Sequence, residues 1–94
     1  MKLKHPIIVG KLTIGELNFR DYTTAEDYLA FDQRGGVAQD IAFIASLTGT
    51  DETVVKKLRG PDFRRAQKEV ARLLAEDETF DPADDAPEKK PQES

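Results

Sequence analysis

The sequence predicts an α+β domain, an N-terminal β-hairpin followed by about four short helices, with a disordered acidic C-terminal tail. Two runs rich in Ile, Val, Leu and Thr, residues 3–9 and 12–19, flank Gly10-Lys11, a turn of the length that joins antiparallel strands. Apolar residues then recur at helical spacing in segments separated by glycine. Residues 76–94 hold three prolines and few apolar side chains, a composition typical of disorder.

The chain has room for one modest core. Its 94 residues lie below the usual size of a domain, and the tail leaves residues 1–75 to fold. The net charge of −4 is unevenly distributed, because the tail carries eight acids and two lysines and the body is therefore +2. Within the body, residues 54–72 contain seven basic and two acidic side chains. This local excess of positive charge needs an explanation.

The second strand changes face along its length. Leu12 and Ile14 share one face, whereas Leu17 and Phe19 fall on the other. A bulge at the Gly15-Glu16 step would restore a single apolar face, so a bulge is predicted there.

The first helix begins at a capping box formed by Thr23 and Glu26. Its packing residues are predicted to be Ala25, Tyr28 and Leu29, with Phe31 as a further candidate. The glycine pair at 35–36 is predicted to end it, because glycine tolerates positive φ.

The second helix, Val37 to Thr48, is apolar nearly all round, with Val37, Ile41, Ile44 and Ala45 on one stripe. Such a helix is typical of the centre of a fold, contacted on most sides; an exposed oligomerisation face is the alternative. Gly49 is predicted to stop it.

The third helix is predicted to begin at Thr50 as N-cap and to run to about Leu58, with Asp51 and Glu52 in its first turn. Asp62 is predicted to cap a fourth, amphipathic helix that ends after about residue 75. Its apolar stripe consists of Phe63, Ala66, Val70, Leu73 and Leu74. Its polar face carries Arg64, Arg65, Lys68 and Arg72.

The sequence contains no good candidates for catalysis. There is no cysteine, and the single His5 lies beside Pro6 near the start, so no nucleophile with its base can be assembled. Zinc ligands, calcium-loop spacing and glycine-rich phosphate loops are missing from the sequence, as is an apolar run of membrane-spanning length. We therefore predict a non-enzymatic protein with no cofactor and no metal, bound to neither membrane nor nucleic acid.

A small DNA-binding regulator is the alternative. Residues 41–63 have the outline of a helix-turn-helix, with an apolar helix, a glycine turn and a second helix ending in basic residues. Asp51 and Glu52, however, occupy the positions that would face phosphates, which disfavours DNA.

Several short segments, in their order, resemble a known family. They are the hairpin containing Pro6-Ile7, then Leu17-x-Phe19-Arg20-x-x-Thr23-x-x-Asp27, the apolar helix closing on Leu47-x-Gly49, and Leu58 before Asp62. In this order and spacing, over about residues 3–75, the chain resembles the Mu-like phage tail assembly chaperones.

The resemblance implies a function in contractile-tailed phages or prophages. Such a protein binds the tape measure protein in the host cytoplasm, keeps it soluble, promotes tail tube assembly and is absent from the mature virion. Homo-oligomers would allow several copies to cover one client. The candidate contacts are on the fourth helix: Phe63, Arg64, Arg65, Lys68, Val70 and Leu74. The alternative is that the three apolar residues among them belong to the core.

The tail has an interpretation as a linker. In the family that the chain resembles, ribosomal frameshifting can produce a longer form whose second domain recruits tail tube protein. A flexible, polar tail would suit the junction, and Glu88-Lys89-Lys90 can be encoded by a run of adenines on which ribosomes slip.

Overall fold

A computed structural model describes residues 1–29 and 35–78 of the chain. Within these residues a two-stranded antiparallel sheet is followed by four helices, which confirms the predicted α+β class. The elements are β1 (Lys2–Val9), β2 (Leu12–Glu16), α1 (Ala25–Leu29), α2 (Gly36–Thr48), α3 (Glu52–Val55) and α4 (Gly60–Glu78). The predictions for Phe31 and for residues 79–94 lie outside the described residues.

The hairpin turns at Gly10-Lys11 as predicted. Gly10 has a φ of 62°, in the left-handed region that glycine adopts without strain, and Val9 pairs with Leu12 across the turn. Leu12 is 63% exposed, however, and does not belong to the core.

The predicted bulge in the second strand was wrong, since the irregularity lies in β1. Four β1 residues stand between the pairs Lys2↔Glu16 and Ile7↔Ile14, where β2 has one. Pro6 has no N–H to donate to the ladder, and the neighbouring N–H groups of Lys4 and His5 donate to Asp62 of α4 instead. The sheet is therefore interrupted where β1 contacts α4.

The core surrounds α2, which confirms its predicted central position. Ile44 is fully buried, and α2 contacts α1, α3 and α4. Gly49 ends the helix in the left-handed conformation, with a φ of 65°. The buried apolar residues are Leu3, Ile7, Leu17, Ala42, Phe43, Ile44, Ala45, Leu47, Val55, Ala66, Val70 and Leu73.

The helix α1 is capped one residue later than predicted. Asp27, at the third helical position, accepts a hydrogen bond from the backbone N–H of Thr24 at 2.7 Å. Thr23 and Glu26 therefore do not form the box. The ring of Tyr28 packs edge-on against Phe43 of α2, as expected for a packing residue, whereas Leu29 is 70% exposed.

Two further helix starts differ from the prediction. The N-cap of α3 is Asp51, whose carboxylate accepts from the N–H of Thr53, and not Thr50. Asp62 is not a cap, because α4 already begins at Gly60 and the Asp62 carboxylate bonds to β1.

Two helix ends differ as well. The helix α3 ends at Val55 and not near Leu58, and α4 continues to Glu78. Residues 76–78, which the sequence placed in the tail, are therefore helical. Gly35, which was predicted to help end the first helix, is the N-cap of α2.

Candidate functional site

The buried carboxylate of Asp27, in α1, links the segment that follows β2 to α2. Its Oδ1 accepts from Arg20 Nη2 at 2.6 Å and from Ser46 Oγ at 2.5 Å, and its Oδ2 accepts from the N–H and hydroxyl of Thr24. Burial alone would raise the pKa of Asp27, but the hydrogen bonds from Arg20, Ser46 and Thr24 outweigh it and lower that pKa to about 2. The carboxylate is therefore ionised and fully occupied by structural donors.

Arg20 extends this cluster along α2. Its Nη2 also donates to the carbonyl of Ser46 at 3.1 Å, and its backbone N–H donates to the carbonyl of Leu47 at 3.2 Å. The guanidinium lies 5.2 Å from the ring centroid of Tyr22. These contacts hold the segment after β2 against the last turn of α2, so they position the chain.

A second buried carboxylate, Asp62, joins β1 to α4. It accepts from the N–H groups of Lys4 at 3.0 Å and His5 at 2.9 Å and from Arg65 Nη1 at 3.0 Å. Burial would raise the pKa of Asp62, but these donors outweigh it and the pKa is lowered. Arg65, a predicted binding residue, is thus already engaged by Asp62.

Asp77 connects the end of α4 to α1. Its Oδ2 accepts from Thr23 Oγ1 and from the Tyr28 hydroxyl, each at 2.5 Å. Both bonds lower the pKa of Asp77, and the carboxylate in turn raises the pKa of Tyr28. This contact was not predicted from the sequence, because Asp77 was assigned to the tail.

The structure separates the predicted binding residues into two groups. Val70 is 4% exposed and belongs to the core, and Phe63 and Leu74 are half-buried against it. Arg64 and Lys68 are exposed. The apolar side chains of α4 thus face inwards, while its cations face outwards.

The exposed cations continue from α4 onto the preceding segment. We call these five residues the basic group: Lys56, Lys57, Arg59, Arg64 and Lys68. All are exposed, and none forms an ion pair within residues 1–29 and 35–78. Arg72, by contrast, is neutralised by Glu69 and Glu76. The positive charge is therefore concentrated at the N-terminal end of α4.

An apolar groove opens beside the basic group. It has a volume of about 150 Å³ and lies between α2, the α3 region and the start of α4. The lining residues are Val37, Ile41, Val55, Lys56, Leu58 and Phe63. The sequence placed Val37 on the stripe of the central helix, but its side chain is 57% exposed at the groove.

A wider depression near Gly49 is a weaker candidate for a binding site. It is lined by the small side chains Ala42, Ala45 and Ser46 and by Thr50, Asp51 and Glu52. Asp51 is occupied in capping α3. With no large apolar side chain in its lining, the depression lacks an anchor for a partner.

Other kinds of site are not found in the described part of the chain. Among residues 1–29 and 35–78, no three His, Cys, Asp or Glu side chains are grouped so that they could hold a metal ion. No helix in these ranges has both the length and the hydrophobicity needed to cross a bilayer.

Comparison with known proteins identifies a family. A family model described as "Phage tail assembly chaperone proteins, E, or 41 or 14" matches residues 1–75. No curated protein and no solved structure is a significant match to the chain. The family match spans both strands, the first three helices and most of α4, and it confirms the resemblance found in the sequence.

Proposed function

Because the chain belongs to the phage tail assembly chaperone family, we propose that it binds the tape measure protein of a contractile-tailed phage or prophage and promotes tail tube assembly around it. The observation that carries this proposal is the family match over residues 1–75, which includes nearly all of the described domain.

In the proposed mechanism, the domain binds the client before assembly and keeps it soluble. A long, helical client exposes apolar stripes before the tube encloses it, and a small domain with an apolar groove can cover them. Several copies on one client would add avidity, with or without a homo-oligomer. In this proposal the domain acts without catalysis and without a cofactor. The complete occupation of the buried Asp27 and Asp62 carboxylates by structural donors supports that part.

The client surface is proposed to lie along α4. Arg64 and Lys68, exposed and without ion pairs in the described chain, would attract acidic residues of the client, and Arg65 would contribute beside Asp62. Phe63 and Leu74 are partly open. Val70 would reach a client only if α4 moved away from the core.

The remaining parts of the proposal follow from the family resemblance. The protein would act in the host cytoplasm and be absent from the mature virion. Contact with the tail tube protein would be made by a longer, frameshifted form. Residues 79–94, through which that form would be joined, lie outside the described structure.

The structure gives the DNA-binding alternative little support. The helix that would read bases, α3, has four residues, about one turn, which is too short to present base-reading side chains along a major groove. Asp51 and Glu52 stand at its start.

Co-expression tests the proposal. A tape measure protein from the same phage or prophage genome is produced with and without this chain, and its soluble fraction is measured. We expect the tape measure protein to be soluble only with the chaperone and to co-purify with it. The double variant Arg64→Glu/Lys68→Glu should weaken the complex, whereas Lys11→Glu, another exposed lysine but on the hairpin, should not. An equally insoluble tape measure protein in both cases would refute the proposed function.

A further inference from the structure

The groove between α2, the α3 region and α4 has the properties of an anchor site for a protein side chain. Val55, at 1% exposure, is buried, and Ile41, Leu58 and Phe63 are half-buried. Val37, more than half exposed, stands at the opening. An apolar surface that is both concave and open to solvent gains free energy when another apolar group fills it.

The size of the groove favours a side chain over a small molecule. Pockets for drug-sized ligands measure about 300–1,000 Å³, whereas this groove measures about 150 Å³. One or two aliphatic or aromatic side chains fit. On a helix, side chains three or four positions apart lie about 5–6 Å from each other, so two of them can enter one such groove.

The charge beside the groove selects the occupant. Lys56 lines the groove itself, and Arg59 and Arg64 directly follow the lining residues Leu58 and Phe63 in the chain. None of these three cations has an ion-pair partner in the described residues. A partner with carboxylates beside its apolar side chains would complement them.

Phe80 of the chain's own tail lies too close to the end of α4 to reach the groove. Phe80 is the only large apolar residue after Glu78. The helix α4 rises about 1.5 Å per residue, which places Glu78 about 22 Å from Phe63 along its axis. The two residues from Glu78 to Phe80 span at most about 7 Å. Phe80 therefore does not fill the groove, and we take another molecule as the occupant to be tested.

We propose that this groove receives the apolar side chains of an amphipathic helix whose flanking positions are Asp or Glu, and that this helix belongs to the client. The inference rests on the proposed function for the identity of the client, but the chemistry of the groove is independent of it. Electrostatic attraction from the basic group brings the helix in, and the groove retains it.

Synthetic peptides of about 18 residues, long enough for partial helicity, test the chemistry. One carries Leu at helical spacing flanked by Glu; its matched control has the same Leu residues flanked by Lys. Binding to the full chain is measured by fluorescence anisotropy, and the site is mapped by amide chemical shifts. We expect the acidic peptide to bind at least about tenfold more tightly, with shifts centred on Val37 and Phe63. Equal binding of the two peptides, or shifts centred on the hairpin, would overturn the inference.

Variants test whether the peptide binds at the groove or to exposed apolar residues in general. Val37→Asp and Lys56→Glu should each weaken binding of the acidic peptide by about tenfold or more, as for anchor residues. Ile8→Asp changes an apolar residue of the hairpin that is even more exposed, 70% against 57% for Val37, and should leave binding unchanged. If Ile8→Asp lowers the affinity for the acidic peptide as much as Val37→Asp does, the proposal is refuted.

Competing occupants give different results. Self-association of the chain that Val37→Asp abolishes would assign the groove to a second copy, and duplex DNA that binds through Lys56 at about 0.2 M salt would assign it to nucleic acid. Either result would overturn the inference.

The co-expression assay distinguishes this inference from the proposed function. If Val37→Asp loses the peptide but still solubilises the tape measure protein, the chaperone function stands and the groove is not its client site. If the unmodified chain binds the acidic peptide but solubilises no tape measure protein, the groove chemistry stands and the proposed client is wrong.

Discussion

Replacing Asp27 by Asn should destabilise the domain severely, although the two side chains have nearly the same shape. Both carboxylate oxygens of Asp27 accept hydrogen bonds, Oδ1 from Arg20 and Ser46 and Oδ2 from Thr24. An asparagine side chain offers one acceptor and one NH₂ group. Whichever way the amide is turned, its NH₂ meets donors, and at least one buried donor loses its partner.

The structure sets the size of the effect on the free energy of unfolding. Removing one partner of a buried ion pair costs about 3–5 kcal/mol. The side chain of Arg20 is 31% exposed, so water can still solvate it and the cost lies towards the lower end. The pKa gives a second estimate: a fall from 3.8 to about 2 on folding corresponds to about 2 kcal/mol at 1.36 kcal/mol per unit. We therefore expect a loss of about 2–4 kcal/mol, against a total of about 4–12 kcal/mol for a folded part of this size.

The assay is urea unfolding followed by far-ultraviolet circular dichroism at neutral pH. Glu69→Gln is the matched control, because it neutralises another carboxylate that is paired with an arginine, Arg72, at the surface. An exposed pair of this kind contributes about 0–1 kcal/mol. If Asp27→Asn loses no more stability than Glu69→Gln, the hydrogen bonds of Asp27 do not hold the domain together and the reasoning is refuted.

Three more predictions concern the pH dependence of stability, a substitution in the core and the nucleotide sequence of the gene. Because folding lowers the pKa of Asp27, its stabilisation is complete above its unfolded pKa of 3.8 and is lost as the pH falls towards about 2. Urea unfolding should show this loss of about 2 kcal/mol, and Asp27→Asn should remove that part of the pH dependence; an unaltered pH profile would contradict the assignment. Ile44→Asp buries an unpaired carboxylate at a fully buried site and should unfold the domain, whereas an unchanged Tm would show that α2 is not central. The codons of Glu88-Lys89-Lys90 should contain a slippery run of adenines with an overlapping reading frame; without one anywhere in the codons of residues 76–94, the linker interpretation of the tail fails.

The order of the elements was predictable because its signals are local. A two-residue glycine turn between β-branched runs specifies a hairpin, and Gly49 after an apolar helix specifies its end. The family resemblance also depended on local segments. Its Arg20 and Asp27 prove to be an ion pair, which gives the motif a structural reason.

The candidate site was predictable only in part. Its cations were visible in the sequence as a charge excess, and Arg64 and Lys68 are exposed as expected. The groove was missed, because Val55 and Leu58 lie in a segment with too few residues to show a period. The exposure of Val37 could not be read from helical spacing, which assigned it to the buried stripe.

Local signals along the chain were enough to predict the class of the fold, the succession of hairpin and helices, and the family. The positions of the buried charges depend on the tertiary packing. Asp62 follows a glycine-proline pair and opens a helical pattern, so it reads as a cap, yet it accepts N–H groups of β1, more than 50 residues earlier in the chain. A carboxylate binds equally well to any donor of suitable geometry, so its residue type does not specify its partner. The partner is set by which backbone groups the packed core leaves unpaired, here those that the Pro6 interruption frees from the β-ladder.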